Sequence, residues 1–307
     1  MTLAQALEDF TLSCQANGLS PVTIRGYRAI VGLMIRGIGD SPVSSVTKRQ
    51  MLEYVAALRQ SKERYKDAPQ KPAQAGGLSK DTIASYVTTL HVFWAWVAQE
   101  PAILDEGKII NPMTGIKRPK RAKPEPKGID PADFVALFDN APCLRDKAIL
   151  AVLADTGCRK GGLLDMQIES LNLAKRRVRV TEKGGIGRVL FFTHFTAGLI
   201  GAYIGGRRSG PLWMSETEDT ALTEAGIYMM LKTLKRKTGV IGRVNPHSFR
   251  HGFAREYIQR GGDISTLAKL LGHADMSITA RYYAVFDEDE LQGFHDRFTP
   301  MEKSLQM

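Results

Sequence analysis

The feature that most constrains this chain is residues 117–128, KRPKRAKPEPKG. Three prolines fix φ and remove backbone donors, so no helix or central strand runs through the segment, and six Lys/Arg against one Glu keep it out of any core. It reads as a linker that divides the 307 residues into stretches of 116 and 179, each of ordinary domain size. Apolar residues make up 43% of the chain, enough for a core on either side. The linker also concentrates charge. Of a net +10, residues 1–116 carry +2, residues 117–128 carry +5 and residues 129–307 carry +3. A basic strap between two domains is expected to lie on a polyanion, with Lys117, Arg118, Lys120, Arg121 and Lys123 against phosphates.

Several function classes are disfavoured from the start. No apolar run approaches the ~20 residues of a membrane span, and the N-terminus, MTLAQALEDF, has neither the basic start nor the apolar stretch of a signal peptide. A cytoplasmic protein is expected. Cys14, Cys143 and Cys158 are odd in number and scattered, which suits a reducing compartment better than a disulfide framework or a zinc site.

Upstream of the linker the apolar period is helical. Leu3, Leu7, Phe10 and Leu12 give one amphipathic stretch ending at Gly18. Ser20-Pro21 then supplies an N-cap and a first-turn proline for a second helix carrying Val22, Ile24, Tyr27, Ile30, Val31 and Met34. A third helix is expected over 47–59 with Met51, Leu52, Val55 and Leu58 inward, and a fourth over 79–99 with Leu90, Phe93, Trp94 and Val97 as a core stripe. Between them SKERYKDAPQKPAQAGG is long for an idle connection, and reads as either disordered or ordered by a partner.

Downstream, Asp130-Pro131 opens a helix, and residues 144–156 form one buried nearly all round that stops at Gly157. Two β-prone runs, 177–181 and 188–192, flank EKGGIG, whose glycines permit a hairpin turn holding Lys183. Helices are expected at 195–205, 221–238, 247–260, 263–271, 277–285 and 287–298. The fold class is mainly α with a small antiparallel β-sheet.

Four short segments of the second half hold the reactive side chains: TGCRKGG with Arg159, TEKGGIGR with Lys183, NPHSFRHGFA with His247, Arg250 and His251, and LGHADMSITARYY with His273, Tyr282 and Tyr283. Spacings of three and four put His247, Arg250 and His251 on one helix face. Two arginine forks can hold the nonbridging oxygens of a phosphodiester and offset the charge of its pentacoordinate transition state, a task that otherwise falls to a metal. Nearby cations and an imidazole help a tyrosine to act as a nucleophile. A lysine on a hairpin can protonate the departing sugar oxygen. The bond energy is then kept in a phosphotyrosine, and resealing needs no ATP.

At these residues the chain resembles the tyrosine recombinases, the integrase and Xer-like family of site-specific DNA recombinases. The resemblance spans nearly its whole length, and four motifs occur in family order. TGCR matches the first-arginine motif at Arg159, Lys183 matches the hairpin lysine, and HSFRH matches His-x-x-Arg at His247 and Arg250. LGH matches the next motif at His273, and the tyrosine expected nine residues later falls on Tyr282, leaving Tyr283 as its bystander. The resemblance implies a helical core-binding domain over 1–116, a linker over 117–128 and a mixed α/β catalytic domain over 129–307. It also implies metal-free, cofactor-free cleavage of double-stranded DNA through a 3′-phosphotyrosine, with strand exchange by a homotetramer through a Holliday junction. The C-terminal helix is expected to dock on a neighbouring protomer or to fold back on its own domain. One position departs from the pattern: the acidic residue usual three places after the first arginine is Gly162.

Each residue alone has an ordinary reading. Arg159 could be a solvated cap, Lys183 a hairpin lysine, and Tyr282 a half-buried core residue. His247 and His251 have the spacing of a metal pair, but Arg250 between them would repel a cation and no glutamate accompanies them. The joint occurrence in order favours catalysis. The basic run KRRVR, with Arg176 and Arg177, is expected along DNA phosphates beside the lysine hairpin. Two rival functions share these residues: a type IB topoisomerase, and a catalytically weakened accessory DNA-binding protein.

Overall fold

Side-chain caps start the N-terminal helices. In α1 (Leu3–Ala16) Thr2 and Gln5 form a reciprocal capping box, and in α2 (Pro21–Ile38) Ser20 accepts from the Thr23 N–H with Pro21 in the first turn. The same devices open α3 (Lys48–Gln60), through Thr47 and Gln50, and α4 (Lys80–Val97), through Ser79. The computed structural model describes residues 1–64, 74–100, 109–119, 128–182 and 186–272, with 279, 292, 293 and 295. Its chain divides into two units, Met1–Pro124 and Glu125–Met307.

The first unit closes around the apolar faces of these helices. Phe10 stacks on Tyr27 at 5.7 Å and meets Phe93 edge-on at 5.5 Å. Phe93, Trp94 and Val97 are fully buried, as core residues. The expected stripes are too wide at three positions: Leu12, Val22 and Leu52 are 64%, 69% and 48% exposed. At 100° per residue Leu52 lies a quarter-turn or more round from Met51, at the edge of the face that Met51 and Val55 bury, and Leu12 lies off the line of Leu7 and Phe10. The long polar connection folds at its two ends. There β1 (Glu63–Arg64) pairs antiparallel with β2 (Gln74–Ala75), an arrangement neither sequence alternative contained. Beyond α4, Met113 and Ile116 are buried, and His91 Nε2 donates to the Ile116 carbonyl at 2.8 Å, which pins the chain up to the linker.

In the second unit, α5 (Pro131–Asp139) is capped by Asp130, and α6 (Leu144–Thr156) is buried on nearly every side except at Leu144. A one-and-a-half-turn helix, α7 (Lys160–Leu164), follows, then a three-stranded antiparallel sheet in the order β3 (Leu171–Asn172), β4 (Arg177–Glu182), β5 (Ile186–Phe191). Neither α7 nor β3 is among the elements expected from the sequence, and β5 starts two residues before the expected run. Arg177 pairs with Phe191 and Glu182 with Ile186. The pleat alternates: Val178 and Val180 face inward while Arg177 and Arg179 face out. Helices α8 (His194–Ile204), α9 (Glu224–Thr238), α10 (Pro246–Gln259) and α11 (Ile264–Leu271) complete the described residues. The core gathers Leu137, Ile149, Leu153, Val180, Leu190, Trp213, Leu231 and Phe249. The helices expected over 277–285 and 287–298 lie outside the described residues, apart from 279, 292, 293 and 295.

Candidate active site

Of the described helices of the second unit, α6, α9 and α11 end in left-handed glycines, and the ends of α6 at Gly157 (φ 55°) and α11 at Gly272 (φ 63°) build the site. The last carbonyls of a helix lack intrahelical donors and lie at the negative end of its dipole, so they attract cations. Three guanidinium groups gather on them. Arg250, on α10 and 4% exposed, donates from Nη1 to the Gly157 carbonyl at 2.9 Å and from Nη2 to the Leu271 carbonyl at 2.7 Å. Arg159, the half-buried N-cap residue of α7, donates from Nη2 to the Gly272 carbonyl at 3.1 Å. Arg188, on β5, donates from Nη1 to the Leu271 carbonyl at 2.7 Å and from Nη2 to that of Leu270. Glycine is required at both helix ends for space as well as for φ. A Cβ at 157 would lie 2.7 Å from a Phe253 ring carbon, and one at 272 would lie 2.8 Å from Arg188 Nη1.

His247 sits in the first turn of α10, behind Pro246 and a capping box of Asn245 with Ser248. Partial burial, followed by the positive charges of Arg250, Lys160 and Arg159, pushes its imidazole below the ordinary range. Burial, then His247 and Arg250, lowers His251 in the same way. The cluster therefore holds permanent cations beside an imidazole kept ready to accept a proton. Lys160 forms a salt bridge with Glu224, and its Nζ lies 5.3 Å from the centre of the Tyr228 ring.

Arg159, His247 and Arg250 are thus brought together. Lys183, His273, Tyr282 and Tyr283 lie outside the described residues, as do Lys120, Arg121 and Lys123. Lys117 and Arg118 are exposed. Arg176 closes the turn before β4 with φ at 50°, and both it and Arg177 are exposed. Gly162 is buried within α7. Asp165 caps α7 and accepts the Thr181 N–H at 2.7 Å, bracing the strand that leads toward Lys183.

Two residues of this neighbourhood, Lys160 and Arg188, have no role in the sequence reading, and Asp165, six residues after Arg159, falls by helix spacing on another face. For Arg188 a signal existed, because it shares the inward parity of Leu190 and Phe192, and a charge at such a position needs partners. Elsewhere among the described residues one group could ligate a cation. The ligand atoms of Cys143, Asp146 and Glu216 lie within 4.8 Å of one another. Arg145 already serves these carboxylates, with Nη2 2.7 Å from Asp146 and 3.5 Å from Glu216. Burial, then the bond to Glu216, pushes the Cys143 thiol up to about 11, so at neutral pH it donates a hydrogen bond to Glu216. We read this group as a brace between the start of α6 and the loop before α9.

Comparison with known proteins places these observations in a family setting. Residues 128–289 match the model of the phage integrase family. Tyrosine recombinase XerC of Shewanella oneidensis is 30% identical over 243 residues, which cover 75% of this chain and 76% of that protein. Tyrosine recombinase XerC of Haemophilus influenzae is 26% identical over 294 residues, 93% of each chain. Among solved structures, the Tn1549 transposon integrase in complex with circular intermediate DNA has the same fold, with a TM-score of 0.74 at 16% identity over 97% of this chain and 100% of that one.

Proposed function

The chain belongs to the phage integrase family of tyrosine recombinases, and from that premise we infer a site-specific DNA recombinase that cuts and rejoins strands through a covalent 3′-phosphotyrosine. The observation that carries this reading is the convergence of Arg159 and Arg250 on two helix ends beside an imidazole held below its ordinary range. Two forks at fixed spacing suit the nonbridging oxygens of one phosphodiester. Their charge offsets the additional negative charge of the pentacoordinate transition state, in a site that needs little reorganisation because backbone carbonyls already hold the forks.

In the cleavage step the phenolic oxygen of Tyr282 bonds to phosphorus as the P–O5′ bond breaks. His247 takes the phenol's proton, Lys183 gives one to the departing O5′, and His273 hydrogen-bonds the phosphate. The 3′ phosphate stays on Tyr282, and a 5′ hydroxyl of the exchanged strand reverses the reaction. Residues 1–116 serve as the core-binding domain and residues 129–307 as the catalytic domain. The basic linker, with Arg176 and Arg177, lies on backbone phosphates. The protein acts in the cytoplasm on the nucleoid and assembles as a homotetramer on double-stranded DNA. The named relatives are recombinases, which supports this reading over a type IB topoisomerase or an accessory binder.

The test is a pool of nicked duplexes with a randomised half-site, in which cleavage releases a short downstream fragment bearing the 5′ hydroxyl and the adduct is trapped. Sequencing the adducted DNA gives the site, and peptide mass spectrometry gives the residue. The expected adduct is on Tyr282, lost in Tyr282→Phe and kept in Tyr283→Phe. The reverse pattern would reassign the nucleophile, and the absence of any adduct would leave only DNA binding.

A further inference from the structure

Arg188 stands at an inward position of β5. Alternate residues of a strand share a face, and Arg188 belongs with Leu190 and Phe192, which are 2% and 5% exposed; its register partner on β4, Val180, is 2% exposed. A guanidinium in that setting needs acceptors. It finds them at the end of α11, in the carbonyls of Leu271 and Leu270. The same Leu271 carbonyl accepts from Arg250, and the next one, Gly272, accepts from Arg159. Gly272 makes the approach possible, because a Cβ there would sit 2.8 Å from Arg188 Nη1.

One helix end therefore seats both phosphate-binding arginines and also anchors the strand that follows Lys183 in sequence. The preceding strand has its own tie, from the Thr181 N–H to Asp165. We propose that Arg188 is the positioning residue of the general acid: it locks the β4–β5 hairpin onto the end of α11, so that Lys183 and the arginine pair keep one geometry. This rests on the reading of Lys183 as the proton donor to O5′.

A leaving group that needs no proton isolates the effect. With sulfur in place of the bridging 5′ oxygen, the departing thiolate is stable unprotonated, and a general acid gains nothing. Single-turnover cleavage of the selected nicked duplex is measured with oxygen and with sulfur at that position, using the full chain and its Arg188→Met, Arg188→Lys and Lys183→Met variants. Arg188→Met is expected to cut the oxygen substrate about ten- to a hundredfold more slowly and the sulfur substrate within about threefold of the unsubstituted protein, the signature of a lost general acid. Arg188→Lys, a cation without the fork, should show the same pattern with a smaller loss, and it decides the matter if the methionine variant fails to fold. Equal losses on both substrates, or no loss on either, would overturn the proposal. Rescue of Lys183→Met without rescue of either Arg188 variant would overturn it alone. Failure of sulfur to rescue Lys183→Met would overturn the general-acid reading and this inference with it.

Discussion

His247 is the residue whose environment makes the sharpest prediction. Partial burial and the charges of Arg250, Lys160 and Arg159 all act against its protonated form. Its folded pKa therefore lies below the ~6.5 of a free imidazole, while the unfolded chain still takes up the proton near that value. Between the two values the unfolded state binds more protons, so stability rises with pH across that window and gains nothing more from this group above ~6.5. Activity follows the folded value: the acid limb of single-turnover cleavage should fall below ~6.5 and disappear in His247→Gln. Lys160→Met removes one opposing cation and should move the limb toward higher pH, even though burial, the larger cause, remains. A rate–pH curve that does not move on this substitution would remove Lys160 from the electrostatics of the site.

At the scale of elements, the left-handed helix ends carry most of the construction, and glycine at each can be tested against an unhindered cap. Gly157→Ala and Gly239→Ala both force alanine into positive φ, at a cost of about 1–2 kcal/mol, but a Cβ at 239 meets nothing within 4 Å while one at 157 strikes Phe253. Denaturant melts should therefore show Gly157→Ala as the less stable variant, by about a further 1 kcal/mol or more. Its cleavage should fall as well, because the Gly157 carbonyl holds Arg250. Equal melts would mean that Phe253 yields freely. These elements also show what the sequence could disclose. Helix starts were legible because Thr2, Ser20, Thr47, Ser79 and Asp130 act on donors two or three residues away. The grouping of Arg159, His247 and Arg250 was legible through motif order. Leu12, Val22 and Leu52 were misplaced because apolar character alone does not fix the angle at which a helix meets its neighbours. Two-residue β3 and five-residue α7 are too short for any period to register. The roles of Arg188 and Asp165 depend on partners 83 and 16 residues away, which local patterning does not contain.

For the whole molecule, the distribution of charge separates how the chain holds DNA from how it cuts it. The guanidinium groups assigned to the scissile phosphate, Arg159 and Arg250, are seated by the backbone carbonyls of Gly157, Leu271 and Gly272, whereas half of the net charge lies in residues 117–128. Each phosphate neutralised by a cation releases counterions and adds about 0.9 to the slope of log K against log salt. Substituting Lys117, Arg118, Lys120 and Arg121 together by glutamine should therefore lower that slope by about 3–4 if all four lie on phosphates. Phosphate contacts carry no base information, so the selected site and a scrambled duplex should weaken in parallel. Fluorescence anisotropy over a salt series measures both. The acid limb set by His247 should stay in place in this variant, since burial and the charges of Arg250, Lys160 and Arg159 that act on it are untouched. An unchanged salt slope would show that the strap only joins the two units. A loss confined to the selected site would instead mean that these side chains read bases, because only contacts to base edges distinguish one sequence from another.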